Sequence, residues 1–300
     1  MAGAQNALPD TDIFICDVSL VKGKYYFKNL KNITNRQGYD NQPAFIDNNT
    51  ILYTSIREDK QADIYKIDLI TGKITQVTNT PEDEYSPTLM PDGKHISTVR
   101  VEKDSTQCLW KFPLVNPDSF SLILPDVKGV GYHCWADSLS LYLFVLGDPF
   151  TLQFVPVDPK FNDYQQAIIL DYSIGRSIQK TGKNEVSYVQ KSNGVPWKIA
   201  AKGIVYATSS HPVARTRNYG IKNYLNFLEL PNNSEDFTYL FGHYWIANGS
   251  KLMKTIIKKR KFVWTEVFDF KGTPAENFYR IAFSPDGKKL ALVSYVGKKP

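Results

Sequence analysis

Residues 281–292 read IAFSPDGKKLAL, and they contain the clearest structural signal in the chain. A short apolar run ends in the sequence SPDG at 284–287, and a second run rich in apolar residues follows it. Asp-Gly between two such runs is a strong hairpin signal, because a type I′ turn needs positive φ at both of its central residues. The stretch therefore predicts two antiparallel strands joined by a tight turn.

The chain repeats the features of this stretch. Matching segments are PDGK at 91–94 and 285–288, ITQVTN at 74–79 with LKNITN at 30–35, and DIY at 63–65 with DIF at 12–14. Each copy holds the same place in a larger unit, which consists of four short strand-like runs separated by polar or glycine-containing turns. The sequence thus predicts four antiparallel strands in every unit.

The spacing of these units predicts the architecture. Their first strands are placed at Pro43, Pro87, His133, Ile178, Phe237 and Ile281. The resulting period of roughly 45 residues is the length of a β-propeller blade. We expect an all-β, six-bladed β-propeller that forms a single domain over residues 1–300. The predicted blades cover 38–80, 85–126, 131–171, 175–233, 235–270 and 277–296, the last completed by 11–35. Within the fourth blade, residues 203–233 are irregular and their strand pairing is left open.

The two ends of the chain carry complementary halves of one unit. The C-terminal part supplies only a first and a second strand, at 279–283 and 289–295, whereas the N-terminal part supplies only a third and a fourth, at 12–18 and 25–33. A blade assembled from both halves would leave no free sheet edge. A β-sandwich would not predict this complementarity.

Composition excludes several classes of protein. With 42% hydrophobic residues, the 300-residue chain can bury a sizeable core. Its net charge of only +6 argues against disorder, and no apolar run is long enough to span a bilayer. The five tryptophans lie at predicted strand positions rather than among basic residues, so we expect no nucleic-acid partner. A monomer is predicted.

The three cysteines, Cys16, Cys108 and Cys134, lack the number and spacing of a disulfide framework or zinc site. We interpret them as small buried hydrophobic residues, although a Cys108–Cys134 disulfide would suit an extracytoplasmic protein. No basic segment followed by an apolar run marks the N-terminus as an export signal. Our expectation is a protein of the periplasm or cell envelope from which such a signal has been removed.

The repeated segments described above resemble the WD40-like repeats of TolB-type β-propellers. The resemblance rests on 281–292, on YSPTLMPDGK at 85–94, and on DIYKID at 63–68 followed by Gly72 and Thr78. GYDNQP at 38–43 and VRVEKDSTQ at 99–107 also resemble uncharacterised TolB-like proteins of Bacteroidetes. Nearly the whole chain is covered. The resemblance implies the fold but not an activity, because such repeats serve protein docking in TolB and substrate gating in oligopeptidases. It does not extend to the N-terminal α/β domain of TolB, so the contacts of that domain are not implied.

No motif of catalysis is found. The chain has no GxSxG, HExxH, P-loop or GxGxxG sequence, and its histidines are His95, His133, His211 and His243. No spacing places a nucleophile beside a base, and the Pro-Asp-Gly turns lack the carboxylates of a calcium loop. We therefore predict no catalytic residue, metal or cofactor. The basic run KKRK at 258–261 is either a patch for an acidic or phosphate-bearing partner or, as we favour, a solvated hairpin tip.

Propeller geometry nevertheless predicts a binding face. Connections between blades, and the turns between second and third strands, lie on the same face around the channel mouth, where ligands of this fold tend to bind. The connections between blades contribute Tyr39, Asp40, Asn41, Glu84, Tyr85, Tyr132, His133, Arg176, Ser177, Asp236, Tyr279 and Arg280. The turns add Arg57, Arg100, Glu102 and Asp104.

This ring of charged and tyrosine side chains suits a peptide or a polar small ligand, since Arg and Tyr are common anchors of recognition. The alternative is that its members pair with one another and only stabilise the wall of the funnel. In either case we expect Arg100, Arg176 and Arg280 to converge, with Asp40, Glu84 and Glu102 around them.

Two functional hypotheses follow. The first is a non-catalytic binding or scaffold propeller of the bacterial cell envelope, which docks a protein or peptide at the channel mouth. The second is an enzyme of the hydrolase or lyase type with its active site in the funnel.

Overall fold

The computed structural model describes residues 8–116, 118–157, 167–191, 196–206, 219–231, 234–259 and 261–296. Over these residues the secondary structure consists almost entirely of strands. In chain order they are β1 (Thr11–Val21), β2 (Lys24–Asn32), β3 (Tyr39–Phe45), β4 (Thr50–Ile56), β5 (Ala62–Asp68), β6 (Ile74–Gln76), β7 (Asp83–Leu89), β8 (His95–Val101), β9 (Gln107–Pro113), β10 (Ser121–Leu122), β11 (Val130–Asp137), β12 (Ser140–Val145), β13 (Thr151–Pro156), β14 (Ile168–Tyr172), β15 (Ile174–Gly182), β16 (Glu185–Gln190), β17 (Lys198–Tyr206), β18 (Tyr219–Glu229), β19 (Phe237–Leu240), β20 (His243–Asn248), β21 (Lys251–Lys258), β22 (Lys261–Asp269), β23 (Phe278–Phe283) and β24 (Lys289–Tyr295).

The strands pair mainly with their neighbours in sequence. Four sheets of four strands contain β7–β10, β11–β14, β15–β18 and β19–β22. A fifth sheet has eight strands in the order β23-β24-β1-β3-β4-β5-β6, with β2 paired to β1. Antiparallel pairing of consecutive strands follows from the short turns between them, since only antiparallel neighbours can be joined by a tight hairpin.

The N-terminal strands extend the C-terminal pair. Strand β1 runs antiparallel to β24, from the pair Thr11 and Tyr295 to the pair Asp17 and Lys289, and β2 lies on its other side. A single parallel bridge between Thr11 and Tyr39 joins this group to β3. That bridge merges two groups of four strands into one sheet, so the count of six blades remains a prediction. No sheet of the described residues closes on itself, so the closure of the ring remains a prediction as well.

The stretch 203–233, whose pairing the sequence left open, contains a long hairpin. Strand β17 continues to Tyr206 and pairs with β18 from Lys198 and Glu229 to Tyr206 and Tyr219. Residues 207–218 and 232–233 lie outside the described part. Gly220 and Asn223 weaken the strand signal of β18, because both residue types are depleted in strands.

The core lies between successive groups of strands. One cluster packs Trp245, Leu252 and Phe270 against Phe14 and Leu292, and so joins β19–β22 to the group formed by the two chain ends. The five residues are almost fully buried, and truncating such an aromatic side chain to alanine typically costs about 3–5 kcal/mol. The three cysteines are free thiols. No helix in the described part of the chain is long and apolar enough to cross a membrane.

Candidate functional site

Irregular pairing marks the start of most first strands. The register between first and second strand shifts between Asn41 and Ala44 in β3 and between Tyr85 and Thr88 in β7. Similar shifts occur in β11, β15 and β23. Such bulges redirect side chains and are common beside functional sites. Here they bring side chains of different groups to one end of a shared central cavity.

Six first strands line this central cavity, which has a volume of about 340 Å³. They are β3, β7, β11, β15, β19 and β23. Gln42 and Ser86 enter it at equivalent positions, each with a positive φ (56° and 55°) and each followed by proline. A non-glycine residue in this conformation carries strain of order 1–3 kcal/mol. Two strained residues at the same place in two repeats indicate a constrained cavity wall.

Two arginines share one carboxylate at the cavity mouth. Arg280 donates from Nη2 to Asp236 Oδ1 at 3.2 Å, and Arg176 donates from Nε to the same oxygen at 3.1 Å. Arg176 also donates from Nη2 to Asp236 Oδ2. The ion pair between Arg176 and Asp236 is therefore bidentate, and this fixes the plane of the Arg176 guanidinium. Arg176, Arg280 and Asp236 together carry a net charge of +1.

The pKa of Asp236 shows that this pairing outweighs burial. Burial alone would raise the pKa, but the charges of Arg280 and Arg176 and their hydrogen bonds lower it below its ordinary value. Burying a carboxylate is expensive unless a cation accompanies it. Asp236 is thus ionised at neutral pH and holds both guanidiniums in place.

Tyrosine and amide side chains complete a network around Arg280. Its Nη1 donates to Asn41 Oδ1 at 3.0 Å, its Nη2 lies 3.4 Å from the Tyr132 hydroxyl, and Asn41 donates to Tyr279. Gln42 donates to Tyr132 at 3.3 Å and accepts the backbone N–H of Ser86 at 2.7 Å. Burial raises the pKa of Tyr39 beside the same arginine. We call these residues the mouth cluster: Tyr39, Asn41, Gln42, Tyr132, Arg176, Asp236, Tyr279 and Arg280.

A second cavity opens beside the mouth cluster. This lateral cavity has a volume of about 1010 Å³, and Arg176 and Asp236 line it as well as the central cavity. Its aromatic wall includes Trp197 and the stacked rings of Tyr279 and Tyr295, whose centroids are 4.6 Å apart. The Arg176 side chain is 36% exposed. The Arg176 side chain is therefore partly accessible where the two cavities meet.

Arg100 has different partners. It binds Glu102 at 2.8 Å, approaches Glu82 at 3.7 Å, and stacks on the Trp110 ring at 3.6 Å. Trp110 in turn donates to Glu102. The structure thus brings Arg176 and Arg280 together at one mouth. Arg100, which was expected there too, contacts Glu102 and Trp110 instead.

Other predicted site residues are also distributed over separate contacts. Asp40 binds Arg36 and Ser55, Arg57 lies 3.8 Å from the Tyr65 ring, and Ser177 donates to the Phe237 carbonyl. Asp104 accepts the Thr106 N–H in an exposed turn. Tyr85 packs against the core, and burial raises its pKa to about 12.

Glu84 belongs to a buried acidic pair with Asp63. Both carboxyls are almost inaccessible, and Thr80 donates to Glu84 while Thr78 donates to Asp63 at 3.3 Å. Burial raises the pKa of Glu84 to about 8 and that of Asp63 to about 6. Glu84 is therefore largely protonated at neutral pH, and it contributes no charge to the mouth cluster.

His133 lines the central cavity and contacts a serine. Its Nε2 lies 2.6 Å from Ser97 Oγ, which also accepts the Trp135 indole N–H at 2.9 Å. Ser97 is fully buried, and burial lowers the pKa of His133 to about 3. A nucleophile that substrate cannot reach, beside a base that protonates only in strong acid, does not fit acyl transfer. The pair links two sheets.

Sequence reasoning missed four residues of the site, namely Gln42, Ser86, Trp197 and Tyr295. Proline directly after Gln42 and Ser86 was a usable signal for an unusual backbone. Trp197 and Tyr295 carried no such signal, because they reach the lateral cavity only through the packing of separate groups. Among the described residues, no three His, Cys, Asp or Glu side chains are grouped to hold a metal ion.

No protein-family model matches the chain, and no curated protein matches it in sequence. Solved structures match its fold. TolB from Acinetobacter baumannii is 14% identical with a TM-score of 0.53, and the match covers 96% of this chain and 65% of that one. A protein assigned as TolB from Agrobacterium tumefaciens is 12% identical with a TM-score of 0.59, over 97% and 100% of the two chains.

A puromycin-hydrolysing peptidase of Mycobacterium tuberculosis is also similar. It is 9% identical with a TM-score of 0.55, and the match covers 90% of this chain but only 47% of the peptidase. The chain thus spans less than two thirds of the Acinetobacter protein and less than half of the peptidase. At these identities the likeness shows the fold: the chain is a β-propeller of the kind found in TolB. The resemblance to Bacteroidetes proteins stays a prediction.

Proposed function

We propose that this protein is a non-catalytic binding propeller of the bacterial cell envelope, which docks a protein or peptide at the channel mouth. The observation that carries the proposal is the single carboxylate of Asp236 shared by Arg176 and Arg280. Arg176, Arg280 and Asp236 together keep one positive charge in excess, and the partly exposed Arg176 side chain is the accessible part of this group. An acidic group of the partner would complete the pairing.

The two cavities support a peptide-like ligand. Arg176 stands between a wide lateral cavity with aromatic walls and a narrower central one. Aromatic side chains beside an arginine are the composition of binding hot spots. An extended segment lying along Trp197 and Tyr295 would place an acidic side chain, or its terminal carboxylate, at Arg176.

A localisation in the periplasm, a monomeric state and the absence of a resident cofactor belong to the same proposal. The likeness to TolB supports them only through the fold. A hydrolase or lyase remains the second candidate because the fold is also similar to that of a peptidase. The buried Ser97 and the low pKa of His133 argue against that pair as its catalytic centre.

Affinity capture from envelope extract, followed by titration of the purified partner, tests the proposal. Arg176→Gln removes the exposed guanidinium while Arg280 still neutralises Asp236. Loss of one charge-assisted hydrogen bond costs about 1.5–3 kcal/mol, so we expect affinity to fall about tenfold or more.

Arg100→Gln is the matched control, because it removes an arginine of the same chain that lies outside the mouth cluster. A partner that binds both variants as tightly as wild type would refute docking at Arg176. Turnover of a peptide or ester by the wild-type protein, lost in Arg176→Gln, would favour the enzyme instead.

A further inference from the structure

The turns at the far ends of the strands form a surface opposite the mouth cluster. Strand β19 begins beside Asp236 and ends at Leu240, so Phe241 in the following turn lies at the other end. Strand β1 likewise begins at Thr11, which pairs with Tyr39, and ends at Val21. Strand β22 ends at Asp269 in the lateral cavity, so the turn before it lies at the opposite end. Three turns of two neighbouring groups thus share one face.

Large apolar side chains project from these turns. Leu20 is 58% exposed, Val21 51%, Phe241 68% and Ile257 66%. Two contacts connect the Phe241 turn and the end of β1 to the turn at 284–288. The Phe241 ring lies over Gly287, where an added Cβ would come within 2.7 Å of it, and the Val18 N–H donates to the Lys288 carbonyl at 2.8 Å.

Lysines surround these apolar side chains. Lys22, Lys24, Lys258, Lys259 and Lys288 are all exposed. Residues 18–31 and 254–263 contain no Asp or Glu. The carboxylates beside them include Asp286, 3.9 Å from Lys288, and Asp17, 3.9 Å from Lys289. Arg260 of the same basic run lies outside the described residues. We call these five lysines and the four apolar residues the basal surface.

We propose that the basal surface docks on an anionic lipid bilayer. Each lysine close to such a surface contributes attraction to acidic headgroups, and the apolar tips can enter the headgroup region beneath them. Lysine is depleted at protein–protein interfaces, where Arg, Trp and Tyr provide the anchors. Long lysine side chains and apolar residues on separate turns suit the fluid, planar array of charged headgroups better than the fixed shape of a protein.

This docking orients the molecule. Because the basal surface and the mouth cluster lie at opposite ends of the strands, a bilayer bound at one end leaves the other facing away from it. The mouth cluster would then remain accessible while the protein is held at a membrane.

Sedimentation with vesicles tests the proposal directly. We expect the wild-type protein to bind vesicles of phosphatidylcholine containing phosphatidylglycerol, and not vesicles of phosphatidylcholine alone. Replacing Lys22 and Lys258 together by glutamine should weaken this binding by roughly fivefold for each lysine. Raising the salt concentration should weaken it further, because salt screens exposed charges. Phe241→Ser should also reduce binding, through loss of the apolar contact.

The control variant is Lys60→Gln combined with Lys103→Gln. It removes the same net charge from exposed positions at the mouth end, and each double variant contains one residue with positive φ, Lys22 or Lys60. Equal binding of wild type to both kinds of vesicle would overturn the proposal. So would an equal loss in the two double variants, since attraction would then depend on net charge alone. Capture of a soluble acidic protein that requires Lys22 and Lys258, without vesicle binding, would assign the surface to a protein partner instead.

Discussion

Asp236 and Glu84 are both buried carboxyl groups, yet their surroundings give them opposite protonation states. Two guanidiniums bind Asp236, and its pKa lies below the ordinary value. Glu84 has threonine hydroxyls and a second carboxyl, Asp63, as its nearest polar neighbours, and its pKa rises to about 8. Burial disfavours the charged form of both groups, so the neighbouring charges decide the outcome.

The difference assigns a role to each group. The ionised Asp236 positions two cations at an accessible mouth, whereas the protonated Glu84 is a neutral hydrogen-bonding group in a junction between sheets. Their effects on stability also have opposite signs. Asp236 stabilises the fold above the pKa of an unfolded aspartate and loses this contribution as the pH falls. Glu84 destabilises the fold as the pH rises above the pKa of an unfolded glutamate.

The largest effect is expected from Arg280→Met. Arg280 is largely buried, with 12% of its side chain exposed, and its removal leaves Asp236 with the more exposed Arg176 and leaves Asn41 without its cationic partner. Breaking a buried pair in this way costs about 3–5 kcal/mol, and denaturant unfolding at neutral pH measures it. A loss below about 1 kcal/mol, the range of exposed pairs, would show that Arg176 alone can hold Asp236.

Glu84→Gln tests the other half of the comparison. The unfolded chain releases the Glu84 proton near pH 4.5, whereas the folded protein keeps it up to about pH 8, so stability should fall between these two values. Glutamine stays neutral and preserves a hydrogen bond with Thr80. One pKa unit corresponds to about 1.4 kcal/mol, so we expect the variant to be at least about 2 kcal/mol more stable than wild type at pH 8.

Unfolding midpoints measured from about pH 4 to about pH 9, a range that includes both the ordinary and the raised pKa of a glutamate, give the pH dependence of stability for each protein. Glu58→Gln, at an exposed position in the β4–β5 turn, is the control and should retain the wild-type slope. An unchanged slope in Glu84→Gln would mean that Glu84 is ionised in the folded protein.

The smallest effect on stability is expected from Arg176→Gln, the variant that should lose partner binding. Arg280 continues to neutralise Asp236, and Arg176 is partly exposed, so the cost should stay at or below about 1 kcal/mol. Thermal unfolding of this variant beside Arg280→Met measures the asymmetry between the two arginines. Equal losses would contradict the view that Arg280 is structural and Arg176 is available to a ligand.

Local patterns in the sequence were sufficient for most strands. Strand β24 has the predicted bounds, 289–295, because it follows the turn at 284–287, whose geometry depends on neighbouring residues alone. Strand β18 escaped prediction because Gly220 and Asn223 interrupt its pattern; its pairing with β17 and the packing of Leu228 in the core stabilise it.

The candidate site was accessible to sequence reasoning only in part. The repeat placed Arg176, Asp236 and Arg280 at equivalent ends of first strands, which was enough to bring them to one mouth. The repeat predicts the same mouth for Arg100, but in the structure the Arg100 side chain binds Glu102 and stacks on Trp110 instead. Which neighbour an arginine finds within a few ångströms depends on side-chain packing that a repeat does not encode.

The hairpins, their order and the positions of the turns could be predicted from the sequence, since they follow from residues close together in the chain. The meeting of distant groups depends on how the strands pack: Asp236 meets two arginines, Glu84 meets Asp63, and the turn of Phe241 meets that of Gly287. The pKa of a buried group depends on its burial and on charges within a few ångströms in space, whatever their separation along the chain. The protonation of these carboxyls and the accessibility of Arg176 were therefore fixed only when the strands packed around a common cavity.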